Sequence, residues 1–316
     1  MYYLLILVLL FMAELFYFHI ANRFNIIDKP NGRSSHIHIT LRGGGIIFYF
    51  GALTYFLMNH FEYPWFMLAL TLVTVISFVD DIRSTSQLFR LVFHFTAMAL
   101  MFYQWGLFSF PWWTIVAALI VCTGIINAYN FMDGINGITG GYSLVVLGAL
   151  GYVNAKIISF VEPTTIYTII CAVVVFCFFN FRKKAKCFAG DVGSVSLAFI
   201  ILFLLGKLIL QTGDFSWIVL LAVYGVDSVL TIIHRLMLHE NIGLPHRKHL
   251  YQIMANELKV PHVVVSSIYM AVQILVLVGY IYWQEYGYWY LLGCLCVLSG
   301  IYAGLMSKYF HLHLAK

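Results

Sequence analysis

The sequence predicts an all-α polytopic membrane protein of about 11 transmembrane helices, with its N-terminus outside and its C-terminus cytoplasmic. Three observations carry that prediction. The 316 residues are 62% hydrophobic and only 10% charged, whereas soluble domains carry roughly 25% charged residues; mean hydropathy is +0.90. Apolar runs of about the 20 residues that a spanning helix needs recur along the whole chain. Lysine and arginine segregate to alternate loops.

The apolar runs fall at about 2–20, 43–60, 64–80, 88–104, 113–131, 138–154, 163–181, 193–211, 215–234, 262–283 and 287–308. The first lacks a basic leader and an Ala-x-Ala site, so it is expected to be a retained helix rather than a signal peptide. The polar gaps leave no room for a soluble domain. The chain therefore reads as one integral membrane unit, 1–316, with polar loops at 21–42, 81–88, 132–137, 182–192 and 235–261. Numbered from an external N-terminus, the side that bears those loops holds 16 of the 18 Lys and Arg, Arg90, Lys308 and Lys316 lying just beyond the loops themselves; Lys156 lies on the other side and Lys207 near the outer end of a span. The positive-inside rule makes the basic side cytoplasmic. A net charge of +5 is thereby explained without a nucleic-acid partner, and basic loops suit anionic headgroups and anionic substrates. The six cysteines (122, 171, 177, 187, 294 and 296) show no metal-ligand spacing and are expected to be packed or lipid-facing thiols.

Acids follow the same asymmetry. Asp28, Asp80, Asp81, Asp133, Asp191, Asp227, Glu240 and Glu257 lie in or near the basic loops, which predicts a site at the cytoplasmic membrane surface. "FVDDIRS" (78–84) ends a span with two adjacent carboxylates. Acids at a membrane boundary are functional candidates. Asp80 and Asp81 could bind a hard divalent cation through oxygen, act as general base, or stand as a solvated pair offset by Arg83. "FAGDVGS" (188–194) precedes another span. Gly190 permits close backbone approach, the helix start offers N–H groups to an anion, and Asp191 could hold a cation; Asp or Ser194 could instead be a helix cap. "NAYNFMDGINGITGG" (127–141) spaces Asn127, Asn130, Asp133 and Asn136 by three, a polar ladder at a helix end. In "LPHRKHLYQ", His246 and His249 share a helical face with Arg247 nearby. That suits a pyrophosphate, a metal pair or a solvated basic loop. "RGGG" at 42–45 is compatible with a phosphate-binding turn, with Arg42 its cation, though it is not a P-loop. His36 and His38 are most simply solvated. Glu14, in the outer half of the first span, is expected to make an internal polar contact, and Asp227 to support Arg235 or the site.

Taken together, "DKPNGRSSH…TLRGGG", "VDD", "NAYNFMDGINGITGG", "FAGDVGS" and "PHRKHLYQ" resemble, in order and spacing, the motifs of the polyprenyl-phosphate N-acetylhexosamine-1-phosphate transferases (glycosyltransferase family 4). The resemblance covers about 20–310. It implies a bacterial inner-membrane enzyme that transfers a sugar 1-phosphate from a UDP-N-acetylsugar to undecaprenyl phosphate, releasing UMP. It implies Mg2+, with Mn2+ as an alternative, and is compatible with a homodimer. By the same resemblance Asp191 is the metal ligand, and Asp80 and Asp81 deprotonate or orient the lipid phosphate. Asn130 and Asp133 share the cavity, Asp133 as a third catalytic acid, Phe188 stacks on uracil, and His246, Arg247 and His249 approach the nucleotide sugar; Gly190, Ser194 and Arg42 complete the substrate-binding set. Three departures stand out. Asn136 replaces the second Asp of a "DGxDG" pattern, Ser84 replaces a Lys, and the histidine loop has two histidines rather than three. They favour the branch that initiates O-antigen or capsule synthesis over the peptidoglycan enzyme. A transporter would instead place polar groups at the bilayer midplane and repeat its broken helices, and a metallohydrolase would need a third nitrogen ligand.

Overall fold

The computed structural model describes residues 2–30, 35, 38–83, 85–243, 246–309 and 311; His36, Ser84 and Pro245 lie outside them. The apolar runs fold as helices close to their expected limits: α1 (Tyr2–Arg23), α2 (Ile47–Met58, after a 3-10 turn Gly44–Ile46), α3 (Pro64–Ile82), α4 (Gln87–Gln104), α5 (Trp112–Met132), α6 (Ile138–Lys156), α7 (Pro163–Asn180), α8 (Gly190–Thr212), α9 (Ala222–Met237, after a 3-10 segment Phe215–Leu221), a single turn α10 (Leu250–Gln252), α11 (His262–Tyr282) and α12 (Gly287–Tyr309). Backbone groups in hydrocarbon must be satisfied within the segment, which helices alone achieve for runs of this composition. The local stops are ordinary. Pro64 and Pro163 open α3 and α7 where their missing N–H is not needed, and the Ser86 hydroxyl accepts from Phe89 N at the start of α4.

The chain is a multi-pass membrane protein. Among the described residues, nine helices are long and apolar enough to cross a membrane, against the 11 expected. The other two expected spans are α2, with its 3-10 turn a shorter apolar helix, and α4, which carries Gln87, Arg90, His94 and Gln104. They fall short for different reasons: α2 has only 12 helical residues, and the polar side chains of α4 lower the hydropathy of its 18.

Helix α8 is the axis. Of its apolar stretch 83% is buried, against 11% for α12 at the edge. Helices α3, α5, α2 and α6 pack around it. Glycines make the closest approach: a Cβ on Gly45 would collide with the backbone of Gly193, so the turn before α2 lies directly on the first turn of α8. At the basic end, β1 (Ile27–Asp28) pairs antiparallel with β2 (Thr40–Leu41), and Leu41 bridges Cys187 in parallel. The first and fourth basic loops are thus stitched by backbone bonds. Gly44 N donates to Phe188 O (2.9 Å) and Gly45 N to Ala189 O (3.1 Å). The Gly44 and Gly45 amides are consumed by that pairing and the Arg42 amide by Ile26 O (3.1 Å), which corrects the phosphate-turn reading.

Glu14 is also corrected. It is fully buried and accepts from the Cys187 thiol (3.6 Å), so it sits beside the fourth basic loop rather than in the opposite half of the bundle. The reason is helical pitch: nine residues separate Glu14 from Arg23 at the loop end of α1, about 14 Å.

Candidate active site

The site grows from the end of α3. Asp81 has no exposed side-chain surface. Its Oδ1 accepts from the amide of Asp191 (3.0 Å) and its Oδ2 from the amide of Val192 (2.9 Å), so the carboxylate fills the N-terminus of α8, where the helix dipole favours negative charge. The expectation that those amides stay free for a ligand is therefore not met. Arg42 Nε donates to the same carboxylate (2.6 Å). Gly190 makes this closure sterically feasible: its φ is 72° and a Cβ there would stand 2.5 Å from Asp81 Oδ2.

Asp80 turns the other way. Its Oδ1 accepts from Thr85 N and Oγ1 (both 2.7 Å), and Oδ2 pairs with Arg90 Nη1 (2.9 Å). Asp191 lies between the two arginines, 3.6 Å from Arg42 Nη2 and 3.4 Å from Arg90 Nη2, with the Asp80 carboxyl against its own. Arg90 is the functional residue that sequence reasoning missed. An arginine inside an expected span is itself the signal that could have found it.

Asp133, just beyond α5, accepts from Thr139 Oγ1 (2.7 Å) through Oδ1. Burial, together with the negative charges of Asp191 and Asp81 nearby, pushes its carboxyl up to about 7. It stands where two cavities meet. One, of about 270 Å³, is lined by Arg42, Asn130, Asp133, Asn136, Phe188, Gly190 and Asp191 among others. The second, of about 590 Å³, is lined by Arg90, His94, Asn127, Asn130, Asp133, His246 and His249 among others. Asn130, Asp133, Gly134 and Gln252 belong to both. From the second, an apolar groove of about 480 Å³ runs between α5 and α9, sharing Asn127, Phe131 and Ile242 with it.

The histidine loop is anchored by Asp227, which answers what that acid supports. Asp227 accepts from Leu250 N (3.1 Å) and Tyr269 OH (2.6 Å) and faces His249 Nδ1 at 3.3 Å. Burial, with His249 and Arg235 beside it, pushes the His246 imidazole down to about 3.

The structure thus gathers Arg42, Asp80, Asp81, Asn130, Asp133, Phe188, Gly190, Asp191, His246 and His249 around one region. It does not bring in two others. Ser194 is buried and its hydroxyl donates to Gly190 O (3.1 Å) on its own helix, so it lines neither cavity. Arg247 pairs with Glu257 (3.1 Å) and also lines neither. Asn136 is a latch: its Nδ2 donates to the carbonyls of Arg182 (2.9 Å) and Lys183 (3.2 Å), and Ser266 Oγ donates to its carbonyl (2.8 Å). Among the described residues, no three His, Cys, Asp or Glu have the spacing of a metal cluster. The carboxylate of Asp191, which lines the polar cavity, does suit a hard ion that keeps its own waters and takes one or two carboxylates.

The model of glycosyl transferase family 4 matches residues 63–209, a stretch that holds both acids of α3, the polar ladder and the start of α8. The chain is 27% identical over 286 residues to the probable undecaprenyl-phosphate N-acetylglucosaminyl 1-phosphate transferase of Bacillus subtilis (strain 168), covering 83% of this chain and 77% of the relative. It is 27% identical over 269 residues to the undecaprenyl-phosphate alpha-N-acetylglucosaminyl 1-phosphate transferase of Escherichia coli (strain K12), covering 74% and 70%. To the protein of that name from Yersinia pestis it is 27% identical over 205 residues, covering 59% and 56%.

Proposed function

The chain belongs to glycosyl transferase family 4, and from that premise we propose that it transfers an N-acetylhexosamine 1-phosphate from a UDP-sugar to undecaprenyl phosphate, giving undecaprenyl-diphospho-sugar and UMP. The observation that carries this reading is Asp133 standing between a polar cavity and one that opens onto an apolar groove. A soluble nucleotide and a lipid phosphate need separate approaches to one point, and this arrangement provides them.

In the reaction, an oxygen of the lipid phosphate attacks the sugar-bearing phosphorus of the UDP-sugar. The P–O bond to UMP breaks and UMP departs with that oxygen. Such transfer is mostly positioning and charge neutralisation. Asp133, with a carboxyl near 7, is suited to take the remaining proton of the lipid phosphate at neutral pH. Asp81 is spent on α8 and Arg42, and Asp80 on Thr85 and Arg90, so their part is to hold the arginines and Asp191 in place. Phe188, half-buried in the polar cavity, offers a ring face for a uracil. Asp191 would hold a magnesium ion, which would supply charge neutralisation for the pyrophosphate. We place the basic loops, and with them the site, on the cytoplasmic face of a bacterial inner membrane, N-terminus outside; the donor is UDP-GlcNAc or a UDP-linked deoxy-N-acetylsugar, and the product initiates a cell-surface polysaccharide.

The test is direct. Membranes containing the protein, incubated with undecaprenyl phosphate, Mg2+ and radiolabelled UDP-GlcNAc or related donors, are expected to yield labelled lipid and UMP. No labelled lipid with any UDP-N-acetylhexosamine would overturn the reading.

A further inference from the structure

The span that ends in α9 opens with seven residues of 3-10 helix, Phe215–Leu221, although runs beyond three or four residues are uncommon in that winding. At Leu221 the backbone leaves helical values (φ −119°, ψ 15°), and α9 begins at Ala222. A helix start leaves its first N–H groups without intrahelical acceptors, and among apolar spans no water satisfies them. The break therefore needs a partner from elsewhere in the bundle.

That partner is a side chain of α11. Gln273 is fully buried. Its Oε1 accepts from Val223 N (3.2 Å) and its Nε2 donates to Val219 O (3.1 Å). In a continuous α-helix Val223 N would donate to Val219 O itself. The Gln273 amide thus stands between the two as a surrogate peptide group. Its partners fix its orientation: turned over, it would set its NH2 against the Val223 N–H and its oxygen against the Val219 carbonyl. Tyr142 OH, from α6, donates to the same Oε1 (2.8 Å). Two turns along α11, Tyr280 OH lies 2.6 Å from Ser216 Oγ, so α11 grips the 3-10 segment near both of its ends.

The consequence is rotational. Seven residues wound as 3-10 rather than α-helix turn the helix that follows by about 140° and advance it by about 3.5 Å. That difference decides which residues of α9 face the site. Asp227, one turn after Val223, meets Leu250 N and His249 Nδ1, and Arg235 reaches the carbonyls of Asn241 and Ile242. Tyr224, beside the break, stacks on Tyr142 with ring centroids 3.7 Å apart. Its hydroxyl donates to Ile138 O (2.9 Å), so the first turn of α6 is keyed to the same register.

We infer that Gln273 is a positioning residue of the site. Its amide, inserted between Val219 and Val223, keeps Phe215–Leu221 from rewinding as α-helix, and so sets the register in which α9 presents Asp227 to the histidine loop. What that loop is for rests on the transfer reaction proposed above; the register of α9 does not.

Hydrogen–deuterium exchange of the full-length protein in nanodiscs, read by mass spectrometry, tests this without turnover, and the transfer assay is run beside it. Gln273→Met keeps the length of the side chain and removes its bonds. It is expected to speed exchange of residues 246–252, where the Leu250 amide depends on Asp227, by about tenfold or more, and to leave α8 unchanged. Turnover is expected to fall about tenfold or more as the site loses its alignment. Gln273→Glu, whose protonated carboxyl still offers an acceptor to Val223 and a donor to Val219, is expected to recover most of both. Tyr142→Phe leaves the amide in place and is expected to keep exchange of 246–252 and turnover within about twofold of wild type. Faster exchange confined to 215–225, with 246–252 as in wild type, overturns the inference, because the amide then serves only its own surroundings. Faster exchange throughout, α8 included, without recovery in Gln273→Glu overturns it as well, since that is a general loss of stability. So does a Tyr142→Phe variant as loosened at 246–252 as Gln273→Met. Should Gln273→Met fail to fold, Gln273→Glu decides: near-wild-type exchange at 246–252 supports the inserted amide, and wild-type turnover with a loosened loop overturns it. Exchange that behaves as expected in a protein that turns over no donor would remove the proposed reaction and leave the register of α9 standing.

Discussion

Asp81 caps helix α8 from 110 residues away in sequence, its two oxygens accepting from the amides of Asp191 (3.0 Å) and Val192 (2.9 Å). The carboxylate is at once a cap, a partner for Arg42 and the fixed point from which Asp191 is aimed. Asp81→Ala is expected to lose about 1–2 kcal/mol from the cap alone and to reduce turnover by about a hundredfold or more. Asp81→Asn, which keeps one acceptor, falls between. Thermal unfolding in detergent and the transfer assay check both.

Gly190 tests the same closure from the other side. With φ at 72° and Asp81 Oδ2 at 2.5 Å from the site of a Cβ, Gly190→Ala is expected to destabilise by about 1–3 kcal/mol and to lower activity in parallel with Asp81→Asn. Gly148→Ala in α6, where a Cβ meets nothing, serves as the neutral control. Equal behaviour of the two variants would contradict the cap.

Asp133 sets the pH dependence. Its carboxyl is raised to about 7 in the folded protein, above the usual ~4, so the folded state holds the proton more tightly than the unfolded one. Its contribution to stability is therefore present at acid pH and lost as pH rises from about 4 to about 7, while kcat/KM, which needs the ionised form, rises over the upper part of that window. Asp133→Asn is expected to flatten the stability profile and abolish turnover. A wild-type rate profile without an inflection near 7 would remove Asp133 as the proton acceptor.

Asn136 donates to two carbonyls, those of Arg182 and Lys183. Asn136→Asp replaces the donor by a third acceptor. It is expected to cost about 2 kcal/mol at neutral pH and less at acid pH, where the new carboxyl is protonated and can donate. Unfolding curves at the two pH values report the difference.

Chelation addresses Asp191. EDTA is expected to silence the wild type and added Mg2+ to restore it, while Asp191→Asn stays below about 1% of wild-type activity at any Mg2+ concentration. Full activity of Asp191→Asn would show that the ion, if used, is held elsewhere.

Much of this was readable along the chain because its cause is local. A run of apolar residues makes a helix wherever it lies, so α5 was expected at 113–131 and found at Trp112–Met132. The acids of α3, the polar ladder and the start of α8 also announce themselves, since charge at the end of a greasy segment is costly without a purpose. What could not be read was pairing. Arg90 looked like one more basic residue until α4 brought it to Asp80 and Asp191. Arg247 looked like a ligand group until Glu257 occupied it. The Gly44 and Gly45 amides looked free until Phe188 and Ala189 supplied their acceptors. Each of these turns on which distant segment arrives at a given surface, and hydrophobic periodicity carries no record of it.

The backbone stitch between the first and fourth basic loops has a bearing on how the protein is made. Strand β2 and the turn after it stay without their partners at 187–189, and Asp81 without its amides, until α4 to α7 have been synthesised and inserted. A chain arrested before 187 would hold a buried-to-be carboxylate and two glycine amides, of Gly44 and Gly45, without the partners they have in the fold. The reactive end of the bundle is therefore completed late in biogenesis, and a truncated product would be threaded but inert.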